Sequence, residues 1–240
     1  MHFTVLVIGQ NPENLLAPFQ ENNMGDVPDE YMELQIEVEK DEAEDYHQEQ
    51  LKKMSKIDRS KYAGMSIKNF MKEWGYYQDD EGNYGYRCNP NSMWDWHSLG
   101  GRWRGYFKLK KGKQGFLGGA GLGGNEPMRK GGIDQALKGN IDFEGMKNEE
   151  IEEGTMHWRE YTKKKNRYKK LTDSMFGSNF GIETKDTKRR YLKRISAITT
   201  NIKEILKDGE WYSDVTEKDF DRLMADVPND ELISLYDCHT

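Results

Sequence analysis

Residues 2–8, HFTVLVI, restrict the fold more than any other stretch. Phe3, Val5 and Val7 alternate with His2, Thr4, Leu6 and Ile8, and so many β-branched residues suit a pleated, packed strand. Gly9-Gln10-Asn11-Pro12 ends it. The pattern predicts a central strand. A second strand is expected over 31–39, where Met32, Leu34, Ile36 and Val38 face in and Glu33, Gln35, Glu37 and Glu39 face water. Leu232 to His239 reads as the final strand. If first and last strands pair, His2 comes near His239.

Helical spacing fills the intervals. A charged helix is expected from Asp41 to about Ile57, with His47 on its solvated side. Ser66 caps a helix through Trp74 that buries Ile67, Phe70, Met71 and Trp74, and Gly75 follows as its C′ residue. A helix over 148–176 softens at Gly154. Ile195, Ile198, Ile202, Ile205 and Leu206 predict a long helix closed by Gly209. Thr216 opens a last helix, buried through Phe220, Leu223 and Met224. Together these elements predict an α+β fold: an antiparallel or mixed sheet holding 2–8, 31–39 and 232–239, with helices mainly on one face. A ferredoxin-like arrangement satisfies that pattern. One domain over 1–240 is expected, with a Gly-rich flexible flap at 112–132 and a basic helical insertion at 148–210.

Composition narrows the class. The hydrophobic fraction is 35% and the charged fraction 32%, but 12% aromatics support a folded chain. The net charge of −6 argues against a general DNA-coating protein. It conceals an asymmetry, acidic from Asp26 to Glu49 and basic from Arg159 to Arg194. Cys88 and Cys238 form neither a disulfide framework nor a zinc motif. The N-terminus lacks a basic flank and a cleavage site, and is too short to span a bilayer. A cytoplasmic protein without membrane association is therefore expected.

The chemistry concentrates in residues 89–107, NPNSMWDWHSLGGRWRGYF, which hold three of the six tryptophans. Gly100 and Gly101 permit a bend that a Cβ would block. If 102–110 is extended, Trp103, Phe107 and Leu109 share one face, and Arg102 and Arg104 share the other. In the first arm Trp94 and Trp96 share a face, opposite Asp95 and His97. Arginine beside aromatic rings suits a phosphate next to a flat base; the alternative is that the rings are core. The run GKQGFLGGAGLGGNEPMRKGG at 112–132 lacks GK[ST] and the dinucleotide fingerprint, so a flap is expected rather than a phosphate loop. Asp237 and His239 share a face of the last strand. No HExxH-like spacing indicates a metal, and no cofactor is implied.

The segment NPNSMWDWHSLGGRWRGYF, with HFTVLVIG and LLAPFQEN at the start and Asp-Cys-His at the end, resembles a family of uncharacterised phage-encoded and bacterial proteins. The resemblance carries no activity. It implies an accessory phage protein acting against a host defence, in the cytoplasm of an infected bacterium. Two functions are compatible with the residues. In one, Trp94 or Trp96 stacks on the base of a phosphate-bearing nucleotide, or the site takes another phosphorylated small molecule. Arg102 and Arg104 take phosphate beside Gly100 and Gly101, and Asp95, His97, Asp237 and His239 supply acid–base groups for a phosphodiesterase-type hydrolysis. In the other, the chain is a non-enzymatic inhibitor that docks on a host defence protein through a charged surface.

Overall fold

The strand at 2–8 is central. In the computed structural model β1 (His2–Ile8) lies between β10 (Leu232–His239), antiparallel, and β8 (Glu204–Lys207), parallel. The structure describes residues 1–23, 25–121, 126–167, 181–183 and 185–240. The chain divides into two compact units, 1–16 with 96–240, and 17–95.

The first unit is built on a mixed seven-stranded sheet. Its order runs β6 (Gly119–Ala120), β5 (Trp96–Gly101), β10, β1, β8, β9 (Glu210–Tyr212), and β7 (Gln135–Leu137) pairs with the N-terminal half of β10. First and last strands are therefore neighbours, with His2 opposite His239 and Leu6 opposite Leu235. Leu6 and Ile8 share a face with Ile233, Leu235 and Ile205. The main core forms there, against Phe220, Leu223 and Met224 of α7 (Glu217–Ala225) and against Phe143 and Met146 of α5 (Phe143–Arg167). Fully burying such side chains contributes roughly 1.5–3 kcal/mol each. The Thr216 cap closes a capping box with Asp219. The fold is α+β, as the patterning implies.

The second unit carries a separate antiparallel sheet, β2 (Glu33–Val38), β4 (Tyr84–Cys88), β3 (Tyr77–Gln78). The expectation that 31–39 joins the strands at 2–8 and 232–239 is thus corrected. Its partner is β4, and only Val38 of its apolar set is fully buried; Ile36 is 40% exposed. A register shift between Ile36 and Val38 breaks the alternation that the sequence suggests. Helix α4 (Ile67–Glu73) begins at the Ser66 cap and is followed by Gly75 at positive φ, as expected. Helix α2 (Ala43–Lys53) is shorter than expected, and α3 (Lys56–Tyr62) follows it. His47 is not solvated: it is 4% exposed and packs on Phe70 with ring centroids 4.3 Å apart.

Three further findings concern the chain after 112. Within the Gly-rich run, Phe116 bridges Gln135 and Gly119–Ala120 forms a strand, because Gly118 and Gly132 let backbones touch where a Cβ would lie 2.1 Å from Leu99 O and Gly105 O. Residues 122–125 lie outside the described residues. Helix α5 starts earlier than expected and runs unbroken through Gly154, whose missing Cβ admits Ile195 of α6 (Lys188–Ile195). The expected extension to 176, with Tyr168, Lys169, Lys170 and Leu171, also lies outside the described residues. Finally, 204–206 is strand, not helix. Asp208 and Gly209 both have positive φ and turn β8 into β9, the hairpin chemistry of an Asp-Gly pair.

Candidate functional site

The core face of the first sheet changes character along its strands. Beyond Leu6 and Leu235 the same row of positions carries Thr4, His2, Asp237 and His239, and β5 adds Ser98 and Trp96 opposite Asp237 and His239. Cross-strand register alone makes neighbours of His2, His239 and Trp96. Ring centroids of His2 lie 4.8 Å from His239 and 5.9 Å from Trp96. Trp96 is 38% exposed.

Asp237 anchors the arrangement. It is fully buried, and its Oδ1 lies 2.8 Å from His2 Nδ1. Its Oδ2 accepts the backbone N–H of Arg102 at 3.0 Å. A carboxylate only accepts hydrogen bonds, so His2 Nδ1 is the donor of this contact, which in the neutral ring leaves Nε2 as the acceptor. This is the geometry of an oriented general base. Thr4 extends the polar row inward by donating to Asn201 O, and it accepts Lys203 N–H.

The glycine pair explains how Asp237 is reached. Gly100 and Gly101 both have positive φ. A Cβ on Gly101 would lie 2.4 Å from Asp237 Cβ, and one on Gly100 would lie 2.3 Å from Asp134 Oδ2. The pair is thus wedged between two buried carboxylates. Asp134 accepts Gly105 N–H at 2.6 Å, Tyr106 N–H at 3.3 Å and Gly118 N–H at 2.9 Å. Burial pushes its pKa above the ordinary value, opposed by those N–H groups and by Arg104. Sequence reasoning missed Asp134. Its signal was an acidic residue directly before the apolar strand at 135–137 and directly after Ile133.

The other expected site residues are dispersed. Residues 102–105 form a turn, with Trp103 N–H on Gly100 O and Arg104 N–H on Gly101 O, not an extended arm. Arg102 and Arg104 therefore do not share a face by strand parity. Arg104 is half-buried and its Nε donates to Gly118 O, while Arg102 is exposed. Trp94 and Asp95 belong to the second unit, where Trp94 is buried and bridges Gln20. Trp94 and Trp96 do not share a strand face, since β5 begins only at Trp96.

His97 points to the opposite side of the sheet from Trp96. It packs edge-on against Tyr236 at 5.2 Å. Burial lowers its pKa, and Glu13 opposes that shift. A cavity of about 350 Å³ opens beside Tyr236, lined also by Glu13, Leu99, Phe116 and Gln135. His97 and Asp237 are thus on different faces and cannot act on one atom. Among the described residues, no group of three His, Cys, Asp or Glu side chains is placed to hold a metal ion, and no helix is long and apolar enough to cross a membrane. Compared with family models, with curated proteins and with solved structures, the chain matches none.

Proposed function

We propose that the chain binds a phosphate-bearing nucleotide at the end of the first sheet and hydrolyses a phosphodiester there. The observation that carries this reading is the His2–Asp237 hydrogen bond of 2.8 Å, with His239 at 4.8 Å and the exposed ring of Trp96 beside them. Trp96 offers a stacking surface, which contributes roughly 1–3 kcal/mol per base. Arg102 is exposed on the turn that its own N–H ties to Asp237, and it supplies charge to the phosphate. His2 Nε2 takes the proton of the attacking water as its oxygen bonds to phosphorus. His239 protonates the departing oxygen as the P–O bond breaks. Asp237 stabilises the imidazolium that forms on His2 and keeps the ring oriented. The counter-defence role implied by the resemblance, in the cytoplasm of an infected bacterium, belongs to the same proposal, with a signalling nucleotide as substrate.

The test is a panel of linear and cyclic dinucleotides, read by calorimetric titration and product analysis. His2→Ala and Asp237→Asn should lower turnover by about 10²–10⁴-fold, the usual contribution of a positioned acid–base group. Trp96→Ala should weaken binding by about tenfold or more. Unchanged turnover in His2→Ala, or no nucleotide bound by the wild-type chain, would overturn the proposal. A second reading is favoured by the second unit, where Glu37, Glu42, Asp45 and Glu49 surround a depression of about 270 Å³. In that reading the acidic surface docks on a basic host protein. Reversing these charges would then abolish the biological effect while His2→Ala would not.

A further inference from the structure

The second unit holds a cavity of about 360 Å³, lined by Lys68, Lys72, Tyr76, Tyr77 and Tyr84, with Gly75 and Gln78 at its edge. Lys68 and Lys72 are one turn apart on α4, so their ammonium groups leave the helix on the same side. Among the described residues neither has an ion-pair partner, whereas the nearby Lys61 reaches Glu73 at 4.0 Å. Tyr76 is buried and held from behind, its hydroxyl bonded to Tyr46 at 2.9 Å and to Glu37 at 3.2 Å. Tyr84 is also buried, and Tyr77 is 54% exposed. The tight turn after α4 depends on Gly75 at φ +81°, and a Cβ there would meet only Tyr86, at 3.9 Å.

Volume, rings and charge specify one occupant. The cavity is in the size range of small-molecule sites, which combine apolar walls with a few placed charges. Tyrosine rings favour a flat ring between them. Two unpaired lysines favour a negative group at its rim. We propose that this cavity binds a planar aromatic ring bearing one phosphate or carboxylate, independently of the nucleotide chemistry at His2 and Asp237.

Four probes on the full chain test it by calorimetric titration: phenyl phosphate, 2-aminobenzoate, an uncharged nucleoside and inorganic phosphate. At least one ringed anion should bind at least tenfold more tightly than the nucleoside or inorganic phosphate. Preference between the two ringed anions identifies the source of the charge. Lys68→Ala and Lys72→Ala should each weaken that binding by about tenfold, the value of one charge-assisted contact. Tyr77→Ala should weaken it comparably, while His2→Ala should leave it unchanged. Lys68, Lys72 and Tyr77 are exposed and His2 is half-buried, and melting curves check the folding of each variant. The proposal is overturned if neither ringed anion binds the wild-type chain. It is equally overturned if binding survives the lysine double variant, or is lost in His2→Ala and retained in that double variant.

Discussion

At the scale of single residues, the site depends on two side chains that are missing. Gly101 sits at φ +51° with Asp237 where its Cβ would be. Gly101→Ala must therefore strain the backbone and displace the carboxylate that holds His2. A residue forced into such a conformation costs roughly 1–3 kcal/mol, so denaturant unfolding should show at least that loss. Phosphodiester hydrolysis should fall with it. His97 makes a pH prediction. Burial lowers its pKa in the folded chain from the ordinary 6.5. Below that value the unfolded chain takes up the proton more readily, so stability is lost as pH falls through 6.5 toward the folded-state value. Replacing His97 by Gln should make the loss of stability between about pH 7 and 5 smaller than in the wild-type chain, as followed by urea titrations. His2, His239 and Asp237 were legible as a possible cluster, because strand parity and a pairing of the termini suffice to bring them together. Asp134 and the turn at 102–105 that separates Arg104 from Arg102 were not, since both depend on backbone folding over a glycine pair.

At the scale of elements, local chemistry was legible wherever it is contained within a few residues. Ser66 caps α4 and Thr216 caps α7, each by accepting a backbone N–H three residues on. Thr216→Ala should remove one half of the capping box and cost about 1 kcal/mol, measurable as a lower melting temperature with the sheet otherwise intact. The strand at 204–207 was misjudged because Ile198, Ile202, Ile205 and Leu206 fit a helical repeat. The Asp208–Gly209 pair, flanked by EILK and EWY, carried the contrary signal of a two-residue hairpin. Tertiary pairing with β1 then buries Ile205 and Leu206 completely. Gly154 shows the reverse case: a helix-weakening residue retained inside α5 because α6 needs the space.

At the scale of the whole molecule, the division into two units, each with a core of its own, implies two levels of stability. Phe70 is fully buried in the second unit, with Met71, Tyr76 and Tyr84. Phe70→Ala should cost about 3–5 kcal/mol. Hydrogen exchange should then accelerate more in β2 and β4 than in β1 and β10; equal acceleration everywhere would show a single cooperative unit. The sequence by itself determined the α+β class, the central strand at 2–8, the final strand at 232–239 and the two capped helices, because periodicity and capping are short-range properties. Only the tertiary structure decided which sheet receives 33–38, which face His97 takes and which carboxylates lie behind Gly100 and Gly101. Those outcomes depend on contacts between residues far apart in the chain, such as Asp237 with Arg102 and Asp134 with Gly105 and Gly118. Such contacts leave no local pattern, since the burial that makes them necessary exists only once the strands have paired.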